Sequence, residues 1–180
     1  MQPQGTQQPS SAGAGGKAQS VRLRPTTHAD LDYVMDAERD PDSAPFILPW
    51  TRERHAQALA DPDIGHLILE RCGDNSRVGF VLLAGLTSPH ESIEFRRIVV
   101  TAKGQGVGRA AVRAVKRLAF VEKKAHRLWL DVKEHNARAR RLYESEGFVA
   151  EGVLRECLKA EPGYHSLVVM SILAPEHREE

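Results

Sequence analysis

Residues 94–119 read EFRRIVVTAKGQGVGRAAVRAVKRLA, and this run decides the architecture. It opens apolar and β-branched, loosens into Lys103-Gly104-Gln105-Gly106-Val107-Gly108, and closes on Val107, Ala110, Ala111, Ala114, Val115, Leu118 and Ala119. Those last seven recur at the 3-4-3-4 spacing of one buried helical face. The segment is therefore a strand, a glycine loop and an amphipathic helix. Glycines at 104, 106 and 108 let the backbone bend sharply and leave its N–H groups uncovered. At a helix start such donors converge with the positive end of the helix dipole, which suits a phosphate or diphosphate. A tight turn without a ligand is the alternative, although one glycine would serve for that.

Working outward, Arg127–Val132 reads as a strand, Asn136–Glu146 as a helix, Phe148–Leu154 and Tyr164–Leu173 as two further strands. Upstream, Val21–Arg24 is a short strand ended by Pro25, and Thr27 can cap a helix over His28–Arg39. Asp40–Trp50 contains three prolines and reads as a loop, unusually apolar at Phe46, Ile47, Leu48 and Trp50. A helix over Thr51–Ala60 stops at Asp61-Pro62, and strands follow at His66–Arg71, Arg77–Leu86 and Ser92–Val100. The order β-α-α-β-β-β-α-β-α-β-β puts antiparallel hairpins before one β-α-β crossover, an α+β fold with a mixed α/β sheet. Residues 1–20 are Gln, Pro, Ser, Gly and Ala with little to bury, and are expected to be a disordered tail. One domain is expected over 21–174, with 175–180 a frayed end.

The chain has 180 residues, 41% hydrophobic and 27% charged, the composition of a single water-soluble domain. Lys+Arg 25 against Asp+Glu 24 leaves a formal charge of +1, which gives no general attraction to nucleic acid or to an anionic membrane. Cys72 and Cys157 are too few and too far apart for a disulfide framework or a zinc site. No histidine shows metal-ligand spacing, so no metal is expected. Absence of a signal-like or membrane-length apolar run points to a cytoplasmic protein.

Two phosphate-binding patterns compete for the loop. A P-loop needs Gly-Lys-Ser/Thr at its end, and Gly108 is followed instead by Arg109 and Ala110. The loose dinucleotide fingerprint G-x-G-x-x-A is matched by Gly106, Gly108 and Ala111, and Asp131 ends the next strand where a ribose-binding carboxylate belongs. Topology weakens that rival, since the loop follows the fourth strand and only one crossover is present.

The loop resembles the diphosphate motif of the GNAT superfamily of acetyl-CoA-dependent N-acetyltransferases, Gln/Arg-x-x-Gly-x-Gly/Ala, with Lys103 in the first position. A second match is more specific. Asn136-Ala137-Arg138-Ala139-Arg140-Arg141-Leu142-Tyr143-Glu144-Ser145-Glu146-Gly147-Phe148 is similar to the family signature Asn-x-x-Ala-x-x-Leu-Tyr-x-x-x-Gly-Phe at every fixed position. The resemblance runs from Val21 to Leu173, is strongest from Glu94 to Gly152, and lies nearest the branch acting on polyamines or protein N-termini.

The resemblance implies acetyl-CoA bound where the strand before the loop splays from its parallel neighbour. The cofactor would touch the main chain at Ile98, Val99 and Val100 and at Lys103, Gly104, Gln105, Gly106, Val107 and Gly108. Arg109 would reach a phosphate and the Asn136 amide the pantetheine; the same Asn is also a natural N-cap. Tyr143, seven residues on and about 10 Å along the same helical face, would protonate the departing thiolate. Its ordinary pKa of about 10 keeps it a donor at neutral pH. Glu94 is the first candidate base, with Asp131 the runner-up, and an N–H near Ile98 or Val99 would hold the oxyanion. Adjacent Arg96 and Arg97 break strand alternation and fit a bulge. Phe46, Trp50 and His55 belong to the region that lines the acceptor pocket in relatives. The implied function is direct acetyl transfer to a primary amine of a small molecule or peptide, in a chain able to form a homodimer. An idle acyl-CoA-binding module on the same fold is the alternative.

Overall fold

A computed structural model describes residues 20–178. The strands are β1 (Val21–Pro25), β2 (Ile64–Arg71), β3 (Arg77–Ala84), β4 (Ser92–Val100), β5 (Arg127–Lys133), β6 (Val149–Lys159) and β7 (Tyr164–Leu173). The helices are α1 (Leu31–Glu38), α2 (Arg52–Ala58), α3 (Val107–Arg117) and α4 (Ala137–Ser145). The element order is the one the sequence implies. The expected helix from His28 opens as a 3-10 turn over His28–Asp30, and the 40–50 loop carries another at Ala44–Phe46. The tail expected at 1–20 lies outside the described residues except for Ser20, whose carbonyl accepts from the Cys72 N–H at 3.0 Å. The expected frayed end is anchored at its start. There the Leu173 N–H donates to the Glu176 carboxylate (2.9 Å), and His177 stacks on Phe120 at 5.0 Å.

All seven strands form one sheet in the order β1-β2-β3-β4-β5-β7-β6. Every pairing is antiparallel except β4 with β5. That parallel pairing covers only Ser92↔Arg127, Ile93↔Leu128 and Glu94↔Trp129. Beyond it, β5 stays with β7 as far as Lys133↔Leu167, while β4 stays with β3 as far as Gly79↔Val100. The two strands part company, and the sheet opens into a gap.

A bulge starts the divergence. Leu82 pairs with Arg97 and Ala84 with Glu94, so β4 spends three steps where β3 spends two. Side chains change faces as a result. Ile93 and Phe95 enter the core on the α3/α4 face, where Ile98 and Val100 also pack; Val99 joins Val34, Trp50, Phe80 and Leu82 on the opposite, α1/α2 face. The adjacent arginines accordingly take different environments: Arg96 is exposed and Arg97 is buried.

The buried stripe of α3 is Val107, Ala111, Val112, Val115 and Lys116. It is rotated from the expected face, which used Ala110 and Ala114 in place of Val112 and Lys116. Lys116 tolerates burial because its Nζ donates to the Glu146 carbonyl (2.8 Å) and carboxylate (3.1 Å). Past Arg117 the helix widens into a π-turn over Leu118–Glu122.

Candidate active site

Two strand-to-helix junctions flank the gap. At the first, Gly104 and Gly106 both have φ of +76°, a left-handed conformation costing an L side chain roughly 1–2 kcal/mol. A Cβ built at either position meets nothing within 4 Å. The glycines are thus required by backbone shape and leave open space above them. Gly108 differs: its φ is not positive, and a Cβ there would rest 3.5 Å from Leu142 of α4. Gly106 is the N-cap of α3 and offers no side chain, and the first helical bond is Ala110 N–H to Gly106 O at 3.1 Å. Among the described residues, the N–H groups of Gly106, Val107, Gly108 and Arg109 have no acceptor. Four donors therefore face the open space at the positive end of an eleven-residue helix.

The side chains around this loop look elsewhere. Lys103 Nζ lies 2.5 Å from Asp40 and 3.4 Å from Asp42, which ties the loop to the segment after α1. Gln105 accepts from Arg71 at 2.8 Å. Arg109, expected to reach a phosphate, lies 2.5 Å from Glu146. That carboxylate is almost fully buried and also holds Arg113 and Lys116. Burial alone would raise the Glu146 pKa; the surrounding cations hold it below the ordinary range. Any grip on an anion at this loop comes from the main chain.

At the second junction, Asn136 is the N-cap of α4, and its Oδ1 accepts from the Ala139 N–H at 3.2 Å. The capping role is thus present, with the amide NH2 left available. Tyr143, two turns along, is 7% exposed; its ring lies edge-on to Phe95 (6.4 Å) and tilted against Phe148 (5.7 Å). Its hydroxyl has no hydrogen-bond partner among the described residues. Burial, and next the negative charge of Asp131, push the phenol well above its usual pKa. It is a proton donor across the whole neutral range.

Strand edges complete the gap. The Thr101 N–H donates to Val78 O at 3.0 Å, so the two-residue alternation of the ladder turns Val99 and Arg97 toward β3. The N–H and C=O of Ile98 and Val100 consequently face the gap. Of the two candidate oxyanion donors, Ile98 is the one so directed, whereas the Val99 main chain is committed to Phe80. Glu94 is held by Arg96, with Oε2 2.6 Å from Nη2 and 3.1 Å from Nε. Asp131 has no partner among the described residues. It opens to water on one side but is crowded by chain on the others; that desolvation, followed by the Glu94 charge, raises its pKa, against a smaller opposing effect of Arg96. A carboxylate without a partner, raised in pKa and within electrostatic range of Tyr143, is better placed to take a proton than Glu94.

A buried polar chain on the α1/α2 face escaped the sequence reading. Glu38 accepts from the Trp50 N–H (3.0 Å) and from Arg97, and its carboxylate lies 3.4 Å from His55 Nε2, which makes no hydrogen bond among the described residues. Arg97 also donates to the Leu48 carbonyl and lies over the Trp50 ring at 5.1 Å. His55 Nδ1 meets His66 Nε2, and His66 Nδ1 meets Thr26 Oγ1, both at 2.9 Å. Burial, with His55 second, lowers the His66 pKa to about 4, so this ring is neutral at pH 7. The adjacent Arg96-Arg97 pair was the only signal available; Glu38 reads as an ordinary helix-end acid. The chain fastens the 47–50 segment to the bulge of β4, while Lys133 Nζ holds the Pro45 carbonyl (2.7 Å) at the open end of β5. The Phe46 ring lies tilted against His135 at 5.8 Å, so the apolar loop arches over the gap's mouth, with Trp50 and His55 buried beneath it.

Residues 20–149 match the model of the acetyltransferase (GNAT) domain. The chain belongs to the GNAT family. A spermidine N(1)-acetyltransferase of Vibrio cholerae is 31% identical over 101 residues, which are 56% of this chain and 58% of that protein. The alignment thus spans little more than half the relative's length. Among solved structures, a spermidine N-acetyltransferase from Vibrio cholerae in complex with CoA and spermine superposes with a TM-score of 0.79 at 23% identity, covering 87% of this chain and 97% of the other. A dodecameric form of the enzyme gives 0.74 at 23% identity over 86% and 94%. These likenesses establish the GNAT fold, with its gap between the fourth and fifth strands. Among the described residues, no helix is long and apolar enough to cross a membrane.

Proposed function

We propose that this protein transfers the acetyl group of acetyl-CoA to a primary amine by direct attack, with no acyl-enzyme intermediate. The single observation that carries the reading is the row of acceptor-free N–H groups from Gly106 to Arg109, opening beside the sheet gap that Tyr143 and Asp131 flank. The diphosphate of the cofactor binds this row, and the pantetheine runs along the free edge of β4 at Ile98 and Val100. The Asn136 amide NH2 points a further donor to it.

The acceptor enters from the α1/α2 side as an ammonium ion, attracted by Glu94 and Asp131. Asp131 takes its proton, directly or through water, and the free amine attacks the thioester carbonyl. The Ile98 N–H stabilises the oxyanion, a type of interaction worth about 100- to 1,000-fold in rate. Collapse breaks the C–S bond, and Tyr143 gives its proton to the leaving thiolate before regaining one from solvent. Glu94 supports rather than performs the proton transfer, because Arg96 occupies its carboxylate. Both cysteines are exposed and neither belongs to the gap, which argues against a covalent route.

The relatives' names make a polyamine the first acceptor to try. The test is acetyl-CoA-dependent thiol release over a panel of polyamines, amino acids, aminoglycosides and peptide N-termini, followed by mass spectrometry of the product. A product heavier by one acetyl group supports the reading. CoA binding without turnover on any amine would favour an idle acyl-CoA module instead.

A further inference from the structure

The far end of α3 borders a second cavity. β1 ends at Pro25, which pairs with Leu67, and the Thr26 N–H still donates to the His66 carbonyl (2.9 Å), so only Ile64 and Gly65 of β2 run on past the β1 edge. Below that edge, the last turns of α2 and α3 and the π-turn enclose a space of about 600 Å³. Small-molecule sites usually measure about 300–1,000 Å³. Leu59, Ile64, Leu67 and Leu118 supply apolar walls, and Thr26 and His66, nearly buried and bonded to one another, supply the polar part. Four charged side chains line the space: Arg22, Arg117, Glu122 and Lys123. Arg22 is neutralised by Glu70 at 2.7 Å. Arg117 and Lys123 have no salt-bridge partner among the described residues, and set against the one carboxylate of Glu122 they leave a single positive charge in excess at an apolar cavity. The π-turn contributes to both features, since its wide Lys123 N–H to Leu118 O bond (2.9 Å) brings Leu118 and Lys123 to the same space. Such turns recur at functional sites.

We propose that this cavity binds a small amphipathic anion: an apolar tail along Leu59, Ile64, Leu67 and Leu118, and a carboxylate head between Arg117 and Lys123. The site is separate from the acyl-CoA gap. Arg117 follows Gly106 by eleven residues, about 16 Å along the axis of α3, so the two anion sites use opposite ends of one helix. The proposal does not depend on acetyl transfer.

The test is calorimetric titration of the full chain, saturated with CoA, with decanoate and with decylamine as the oppositely charged control. Decanoate should bind one-to-one, at least tenfold more tightly than decylamine. The double variant R117E/K123E, which alters two exposed side chains, should weaken decanoate at least tenfold and leave CoA affinity unchanged. Leu118→Trp, filling the space, should abolish decanoate binding; a melting curve of that variant checks its fold. No decanoate binding, an affinity indifferent to R117E/K123E, or decanoate heat that vanishes when CoA is present would each overturn the proposal.

Discussion

The two helices that flank the gap begin in opposite ways. α4 starts on Asn136, whose side chain satisfies the Ala139 N–H, as most helix starts are satisfied. α3 starts on Gly106, in a left-handed conformation, with no side chain to offer and four N–H groups uncommitted. A helix that needed only to begin would use the Asn136 solution. With glycine at the N-cap, α3 forgoes roughly a few tenths of a kcal/mol of capping, and the difference lies in the donors: one junction closes its first turn with its own side chain, the other leaves four N–H groups open to a guest.

Substitutions at the two junctions should separate accordingly. Gly106→Val has the largest expected effect. A β-branched side chain at φ +76° fills the open space and strains the turn. Hydrogen bonds to charged groups are worth about 1.5–3 kcal/mol each, so losing two should weaken CoA about 100-fold or more by calorimetry. Tyr143→Phe should lower kcat about 100-fold while acetyl-CoA affinity stays nearly intact; a raised Kd with normal turnover would make the residue a binding group. Asn136→Ser keeps a capping oxygen and removes the amide donor. It should hold the melting temperature and weaken CoA by about 1 kcal/mol, or several-fold, whereas Asn136→Ala should lose about 1 kcal/mol of stability as well. Gly108→Ala should be nearest to silent. Its Cβ makes an ordinary 3.5 Å contact with Leu142, and alanine gains helix propensity over glycine.

The carboxylates make a prediction in pH. Asp131 must be ionised to act as base, and Glu94 helps to hold its pKa up. Glu94→Gln should therefore shift the acid limb of kcat/KM to lower pH; an unmoved limb would remove Asp131 from the mechanism. Stability carries the opposite sign. A folded-state pKa raised above the unfolded one means that ionisation opposes folding, so the favourable contribution is present at low pH and lost as pH rises through the raised value. Asp131→Asn should then raise Tm at pH 7 and leave it unchanged at pH 3, while turnover falls.

Local signals carried much of this fold. Apolar periodicity marked most helices and strands, the paired Arg96 and Arg97 marked the bulge, and Asn136 marked the cap of α4. What escaped was tertiary. Nothing in the segment around Glu38 shows that a helix-end acid is buried with Arg97, fifty-nine residues away, or that two histidines link it to Thr26. The commitment of Arg109 to Glu146 and the identity of the freer carboxylate are equally set by distant contacts. β6 runs on to Lys159, past the expected end at Leu154, because a register shift between Leu154 and Leu158 keeps a polar stretch paired with β7.

The most direct test of the central claim is a crystal structure with acetyl-CoA bound. The diphosphate oxygens should lie about 3 Å from the N–H groups between Gly106 and Arg109, with the thioester sulfur beside the Tyr143 hydroxyl. A diphosphate held by side chains elsewhere, with those four N–H groups left to water, would contradict it.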